Sequence, residues 1–354
     1  EEHDDSNPFF MYVAYTAAHW PMHARERDIK KYDGRYDNGY DAIRKERFER
    51  MKKLGLIGSA AKMSSTVGEW ESVEDKEWES ACMETYAAMV DQMDQGIGRI
   101  VKALKKKGQF ENTLILFFQD NGACAENLDW IDTGTHGPRA STPTLDPIPD
   151  SVIHYYESAP SQTRDGWPVL FSGVLPGPAD TYMAYRRAWA NVSNTPFREY
   201  KHWVHEGGIS TPLIAHWPKG IKAKNELRNE PGHLVDLMAT CVDIAGAIYP
   251  STVDDQSIWA MEGKSLVPVF ENKEIDRDLL FWEHEGNRAL RIGKWKIVAK
   301  GLDGGWELYD IETDRSELTN LATVYPERLE SMAAKWEAEA VRLKVLPRSP
   351  KNKE

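Results

Sequence analysis

Apolar residues fall along this chain in two rhythms. Between residues 75 and 108 they recur at Cys82, Tyr86, Met89, Met93, Ile97, Ile100 and Leu104. Steps of three or four place them on one face of a helix, so this stripe predicts a long core-packing helix. Lys105, Lys106 and Lys107 complement its C-terminal dipole, and Gly108 ends it. The second rhythm is the short unbroken apolar run. Residues 8–15 are apolar almost throughout, the pattern of a strand covered on both faces, as in a parallel sheet. Residues 113–118 form a second such run. Residues 211–217 form a third, closed by Pro218, with Pro212 marking an edge or a strand beginning. Helix, then strand, then a polar cluster at the strand tip is a βαβ arrangement.

The remaining segments are simpler. Residues 25–55 are highly charged and predict a peripheral surface helix, followed by a polar loop over 56–72. Residues 123–195 lack periodicity and are rich in Pro, Gly, Ser, Thr and aromatics. A loop of that length reads as an insertion beside a site, with Trp189 and Tyr182 as either pocket wall or local packing. Residues 233–248 predict a helix, and 250–275 a polar connector. Residues 278–282, 288–292, 294–299 and 306–310 predict four short antiparallel strands. A closing helix follows over 327–343, with Leu329, Met332, Trp336 and Val341 apolar. The division expected is a larger domain over 1–272 and a small α+β subdomain with an antiparallel sheet over 273–354.

The totals narrow the class. A chain of 354 residues exceeds what one core usually holds. Its 41% hydrophobic and 28% charged residues are ordinary for a globular protein, and no run approaches the ~20 apolar residues of a membrane span. The net charge of −12 disfavours nucleic acid, while a local cationic pocket could still take an anionic small substrate. Cys82, Cys124 and Cys241 make neither a disulfide framework nor a zinc spacing. Asn191-Val-Ser193 is an N-glycosylation sequon.

Candidate chemistry gathers where the apolar runs end. Residues 8–15 lead to His19, before Pro21; a lone loop histidine is also an ordinary solvated side chain. Residues 113–118 lead to Asp120-Asn121-Gly122. Two adjacent side-chain oxygens suit a hard cation such as Ca²⁺ or Mg²⁺, and the same three residues also make a common turn. Ahead of the third run, Lys201, His202 and His205 crowd a loop bordered by Glu206-Gly207-Gly208. That loop is either an anion-binding wall or a basic surface turn.

Together these stretches resemble the sulfatase family of the alkaline-phosphatase-like superfamily. PFFMYVAYTAAHWP resembles the family's strand ending in a substrate-contacting His, and LILFFQDNG its metal-ligand strand. YKHWVHEGGISTPLIAHWP resembles its sulfate-binding Lys followed by E-G-G, and WKIVAKG with WELYDIETDRSELTNLA its C-terminal subdomain. The order is right over nearly the whole chain. The resemblance implies an α/β fold with a mostly parallel sheet and helices on both faces. It implies hydrolysis of an arylsulfatase-type sulfate monoester, on a small molecule or a carbohydrate. His19 would contact the ester oxygen and protonate the leaving alcohol; Lys201 would bind a sulfate oxygen. Asp120 and Asn121 would ligate one divalent cation, most naturally Ca²⁺, and His205 would stand behind the substrate contacts. The compartment implied is periplasmic, secreted or lysosomal-type.

The family's N-terminal third also carries an Asp-Asp metal pair and a Cys/Ser-x-Pro-x-Arg motif whose Cys or Ser becomes formylglycine, the nucleophile. These 354 residues contain no such motif. The resemblance therefore implies a C-terminal portion whose N-terminal strands are missing, inactive or nearly so by itself. Two other readings stay open: a two-metal phosphatase or phosphodiesterase of the same superfamily, and a non-catalytic pseudo-enzyme.

Overall fold

The computed structural model describes residues 7–131, 134–153 and 159–346. The chain forms two compact units, each drawing on several stretches of sequence.

The first unit takes the described parts of 1–51, 65–108 and 123–195. Its helices are α1 (Glu26–Ile29), α2 (Gly39–Lys53, whose last residues run into the other unit), α3 (Lys76–Lys106) and α4 (Arg186–Ser193). The long helix forms where periodicity placed it. The Asp75 carboxylate accepts a hydrogen bond from the Trp78 N–H at 2.9 Å and caps its N-terminus. Cys82 and Met89 of the stripe are buried, and burial pushes the Cys82 thiol up, leaving it a packing group. The single surface helix expected over 25–55 is instead broken between α1 and α2. Gly34 and Gly39 there have positive φ, and the Trp70 ring lies so close to Gly39 that a Cβ would fall 2.2 Å from it.

In the 123–195 region, where 132–133 and 154–158 lie outside the described residues, α4 is the main regular element. Trp189 is fully buried against Tyr36, Tyr40 and Trp70, and its indole N–H donates to Glu79 O at 2.9 Å. Tyr182 is buried beside Phe171 and Trp20. Both are packing residues. The sequon is also closed off, because Asn191 is buried and its side-chain oxygen accepts from Val67 N–H at 3.2 Å.

The second unit takes 52–64, 109–122 and the described part of 196–354. Strand β1 (Ile115–Phe118) pairs antiparallel with β2 (Leu213–His216), in the register Ile115↔His216 to Phe118↔Leu213. The one-turn helix α5 (Glu206–Ile209) precedes β2, and α6 (Val235–Ile244) follows it. The connector holds a two-residue ladder of β3 (Thr252–Val253) with β4 (Gln256–Ser257), then α7 (Val267–Phe270). Strands β5 (Leu280–His284), β6 (Asn287–Ile292), β7 (Trp295–Ala299) and β8 (Glu307–Asp310) form an antiparallel sheet in sequence order. Helix α8 (Pro326–Arg342) closes the chain.

The α/β class and the C-terminal antiparallel sheet are as the sequence reads. Three details differ. Residues 8–15 form no strand, and Phe10 and Tyr12 are 81% and 77% exposed, because none of the described residues supplies a ladder to them. The two strands β1 and β2 pair antiparallel, and β2 is mostly exposed rather than covered on both faces. On α8, Ala340 faces the core and Val341 is solvent-facing; the helical step from Trp336 falls on residue 340.

The sheet β5–β8 sorts its residues by alternation. Leu290, Ile297 and Leu308 pack against Met332, Trp336 and Ala340 of α8. The opposite face, with Ala289, Val298 and Tyr309, packs against Val204 and Ile209 of the loop that carries Lys201. Lys296 lies on that second face and is fully buried. Its ammonium sits 2.8 Å from Glu206 and 2.9 Å from Glu317. Burial opposes the charged forms, but the mutual attraction prevails: the Lys296 pKa is raised and that of Glu206 lowered.

Removing one partner of such a group strands the others. Lys296→Met is expected to lower stability by about 3–5 kcal/mol, read as a shift in the urea midpoint. A loss below about 1 kcal/mol would mean that Glu206 and Glu317 do not depend on this cation.

Candidate functional site

The second unit gathers most of the sequence-predicted residues. Asp120 and Asn121 follow β1 directly. Thr211 Oγ1 donates to Gln119 O at 2.8 Å, and Gly122 N–H donates to Gly208 O at 2.9 Å. These bonds tie the Asp-Asn turn to the Glu206-Gly207-Gly208 segment. The glycines are required by crowding. A Cβ on Gly207 would stand 2.2 Å from Arg198 O, and one on Gly208 would stand 1.9 Å from Trp203 O. The chain therefore doubles back on itself between Arg198 and Gly208, with Lys201 half-buried at the turn.

Among the described residues no hydrogen bond or ion pair engages the Asp120 carboxylate, which is exposed, or the Asn121 side chain, which is half-buried. Two neighbouring oxygen donors left open are the right type for a hard cation. They are two of the six to eight oxygens that Ca²⁺ takes, so the turn fits such an ion in donor chemistry and would supply only part of its shell.

His205 is placed differently from a surface ligand. Its side chain is 1% exposed, and Nε2 lies 3.4 Å from Glu307 Oε2. Glu307 also accepts from Arg198 at 2.7 Å and from the Tyr309 hydroxyl at 2.6 Å. Burial alone would raise the Glu307 carboxyl. The hydrogen bonds from His205 and Tyr309 and the Arg198 charge outweigh it and bring it down to about 2.

His19 belongs to the first unit. It lies exposed in the turn after residue 15; its backbone N–H donates to Thr16 O at 2.9 Å, and its Nδ1 lies 2.8 Å from Trp20 O. Trp20 is fixed by its indole N–H, which donates to Glu126 at 2.8 Å and points at Cys124 Sγ at 3.3 Å.

Sequence reasoning missed the groups that hold the Lys201 loop: Arg198, Asn287, Lys296, Glu307 and Glu317. The available signal was alternation in the four C-terminal strands, where residues 287, 296 and 307 share one face with the apolar 289, 298 and 309. A polar residue on a face that also carries core residues is a candidate for burial with a partner.

The sulfatase family model matches residues 1–247, and the model for the N-sulphoglucosamine sulphohydrolase C-terminal region matches residues 198–343. An uncharacterized sulfatase of Schizosaccharomyces pombe is 31% identical over 346 residues, covering 94% of this chain and 58% of that protein. An arylsulfatase of Klebsiella aerogenes is 29% identical over 275 residues, covering 76% of this chain and 53% of its own length. The chain thus spans little more than half the length of these relatives. Its fold is similar to that of Ps i-CgsB, solved in complex with k-i-k-neocarrahexaose, at a TM-score of 0.55 and 22% identity, covering 98% of this chain and 56% of that one. No helix among the described residues is long and apolar enough to cross a membrane.

A carboxyl held below its ordinary 4.5 stabilises the fold fully above that pH and loses the contribution as pH falls toward its folded value. Glu307→Gln is expected to be less stable than the parent by about 2 kcal/mol at pH 7. The gap should close between pH 4.5 and about 2, followed by thermal melts across that window. A gap that persists unchanged at pH 2 would assign the loss to packing rather than charge.

Proposed function

The chain belongs to the sulfatase family, and on that premise we propose that it carries part of a site for hydrolysing a sulfate monoester on a small molecule or a carbohydrate. The carrying observation is the Gly122 N–H to Gly208 O hydrogen bond, which joins the Asp120-Asn121 turn to the segment that follows Lys201. A divalent-cation turn and an ammonium on tied segments suit a tetrahedral anion.

In this reading Lys201 binds a sulfate oxygen and neutralises charge as it builds in the transition state. Asp120 and Asn121 would hold one divalent cation, Ca²⁺ by donor type, which would neutralise the sulfate group when bound. His205, buried behind the loop and bonded to Glu307, acts on position rather than on substrate.

The nucleophile is the part not found in these residues, since none of Cys82, Cys124 and Cys241 stands in a Cys-x-Pro-x-Arg sequence. Without it the covalent route is closed to this chain alone. The chain incubated with an aryl sulfate and Ca²⁺ is expected to give no turnover above background; measurable turnover would overturn the assignment of the nucleophile to a formylglycine outside it. In a longer protein that includes that motif, Lys201→Ala is expected to lower kcat about 10²- to 10³-fold. An unchanged kcat would remove Lys201 from the site.

A further inference from the structure

The Lys201 loop carries a second set of ligands that the sulfate reading leaves unused. His202, His284 and Glu285 each offer one ligand atom, and the three atoms lie within 4.8 Å of one another. They form the one such group of three among the described His, Cys, Asp and Glu side chains. His202 Nδ1 is 3.2 Å from Glu285 Oε2. The His202 and His284 rings meet edge to face with centroids 5.4 Å apart. All three residues lie in the second unit.

The backbone beneath this group is held. Glu285 and Gly286, both with positive φ, make the two-residue turn between β5 and β6, where His284 pairs with Asn287. Gly286 N–H donates to Glu283 Oε1 at 2.8 Å. Asn287 is buried, and its amide donates to His202 O and to His284 O, each at 3.1 Å. Its side-chain oxygen accepts from Gly301 N–H at 3.1 Å. One amide thus ties together the two segments that bear the histidines. His202 itself has φ +87°, a costly backbone state for a residue with a side chain, and that state sets its ring beside the hairpin.

From this geometry we propose that His202, His284 and Glu285 form a binding site for a zinc-class divalent transition cation. Two imidazole nitrogens and one carboxylate oxygen match the donor preference of Zn²⁺, and three protein ligands leave a fourth tetrahedral position to water. Zinc–ligand bonds of ~2.0–2.2 Å require donor atoms about 3.3 Å apart. The His202–Glu285 pair is already at that spacing, and the exposed side chains close the rest by rotamer adjustment. Ca²⁺, which takes six to eight oxygens, does not suit the set, so the site is distinct in chemistry from the Asp120-Asn121 turn. Binding links residue 202 to the β5–β6 turn and so stiffens the loop that presents Lys201.

The test needs no enzymatic activity. The chain is stripped with chelator and titrated with ZnCl₂ against a competing chromophoric chelator. The parent is expected to bind one equivalent, His284→Ala at least tenfold more weakly, and His202→Ala/His284→Ala with no competitive binding at all. Excess Ca²⁺ should not displace the zinc. Cobalt loading should give the intense visible bands of a tetrahedral site in the parent and not in the double variant. The three side chains are exposed, so metal-free variants should melt with the parent, which separates loss of a ligand from loss of the fold. Equal zinc affinity in parent and double variant, or no tight equivalent in the parent, would overturn the proposal.

Discussion

The Lys296 ammonium, buried without contact with water and gripped by Glu206 and Glu317, is the constraint on which the second unit depends. Taking one cation and two carboxylates out of solvent is costly, and the cost is met only if every donor and acceptor is placed. Here the placement involves backbone as well. Glu206 N–H donates to Glu317 at 2.8 Å, and Arg315 approaches the outer oxygen of Glu206 at 3.2 Å. An arrangement with so many conditions is satisfied by one geometry of the Glu206-Gly207-Gly208 segment and by few others. The glycines are the other half of the same constraint, since the turn that delivers Glu206 to Lys296 leaves no room for a side chain at either position.

This gives the sheet β5–β8 a part beyond capping the chain. One face is an ordinary core against α8. The other is a rack, in which Asn287 holds the backbone at His202, Glu307 holds Arg198 and His205, and Lys296 holds Glu206. Four successive fixings along a loop of about ten residues remove most of its freedom before any ligand arrives. On the proposed role of Lys201, an ammonium carried on such a held loop would serve a developing charge better than a mobile one, because less ordering would be left to be done during reaction. The order of cause therefore runs from alternation in the C-terminal strands, to a polar buried face, to a rigid loop, to Lys201.

How much of this was readable follows from what each signal encodes. The helix α3 was legible because a period of 3.6 sustained from Cys82 to Leu104 has few other meanings, and its Asp75 cap and Gly108 stop agree with it. The four-stranded sheet was legible from turn residues at short spacing, and the family from the resemblance of several segments in the right order. The run over residues 8–15 was misread because an unbroken apolar stretch records hydrophobicity and not the presence of a pairing partner; Phe10 and Tyr12 look the same in sequence whether covered or bare. The rack was illegible for the opposite reason. Asn287, Lys296 and Glu307 are polar, and the usual prior sends polar residues of an antiparallel strand to solvent. Only the partners, some 90 to 110 residues away for Lys296, Glu307 and Glu206, reveal that they are buried.

On the two proposed readings the loop would separate two kinds of cation chemistry, by a few residues of sequence and by donor type. On one side the Asp120-Asn121 turn offers oxygens only, tied to the loop through Gly208. On the other the His202, His284 and Glu285 group offers two nitrogens and one oxygen, tied to it through Asn287. Hard and borderline cations sort between such sets by ligand preference even when both are present, so neither proposed site would need to exclude the other's ion by size. Lys201 directly precedes the first of the two ties, at His202. A change in either hold would be felt first as a change in how firmly that ammonium is presented, and only afterwards in the fold as a whole, because the buried Lys296 cluster, not the proposed metal ligands, keeps the loop on the sheet.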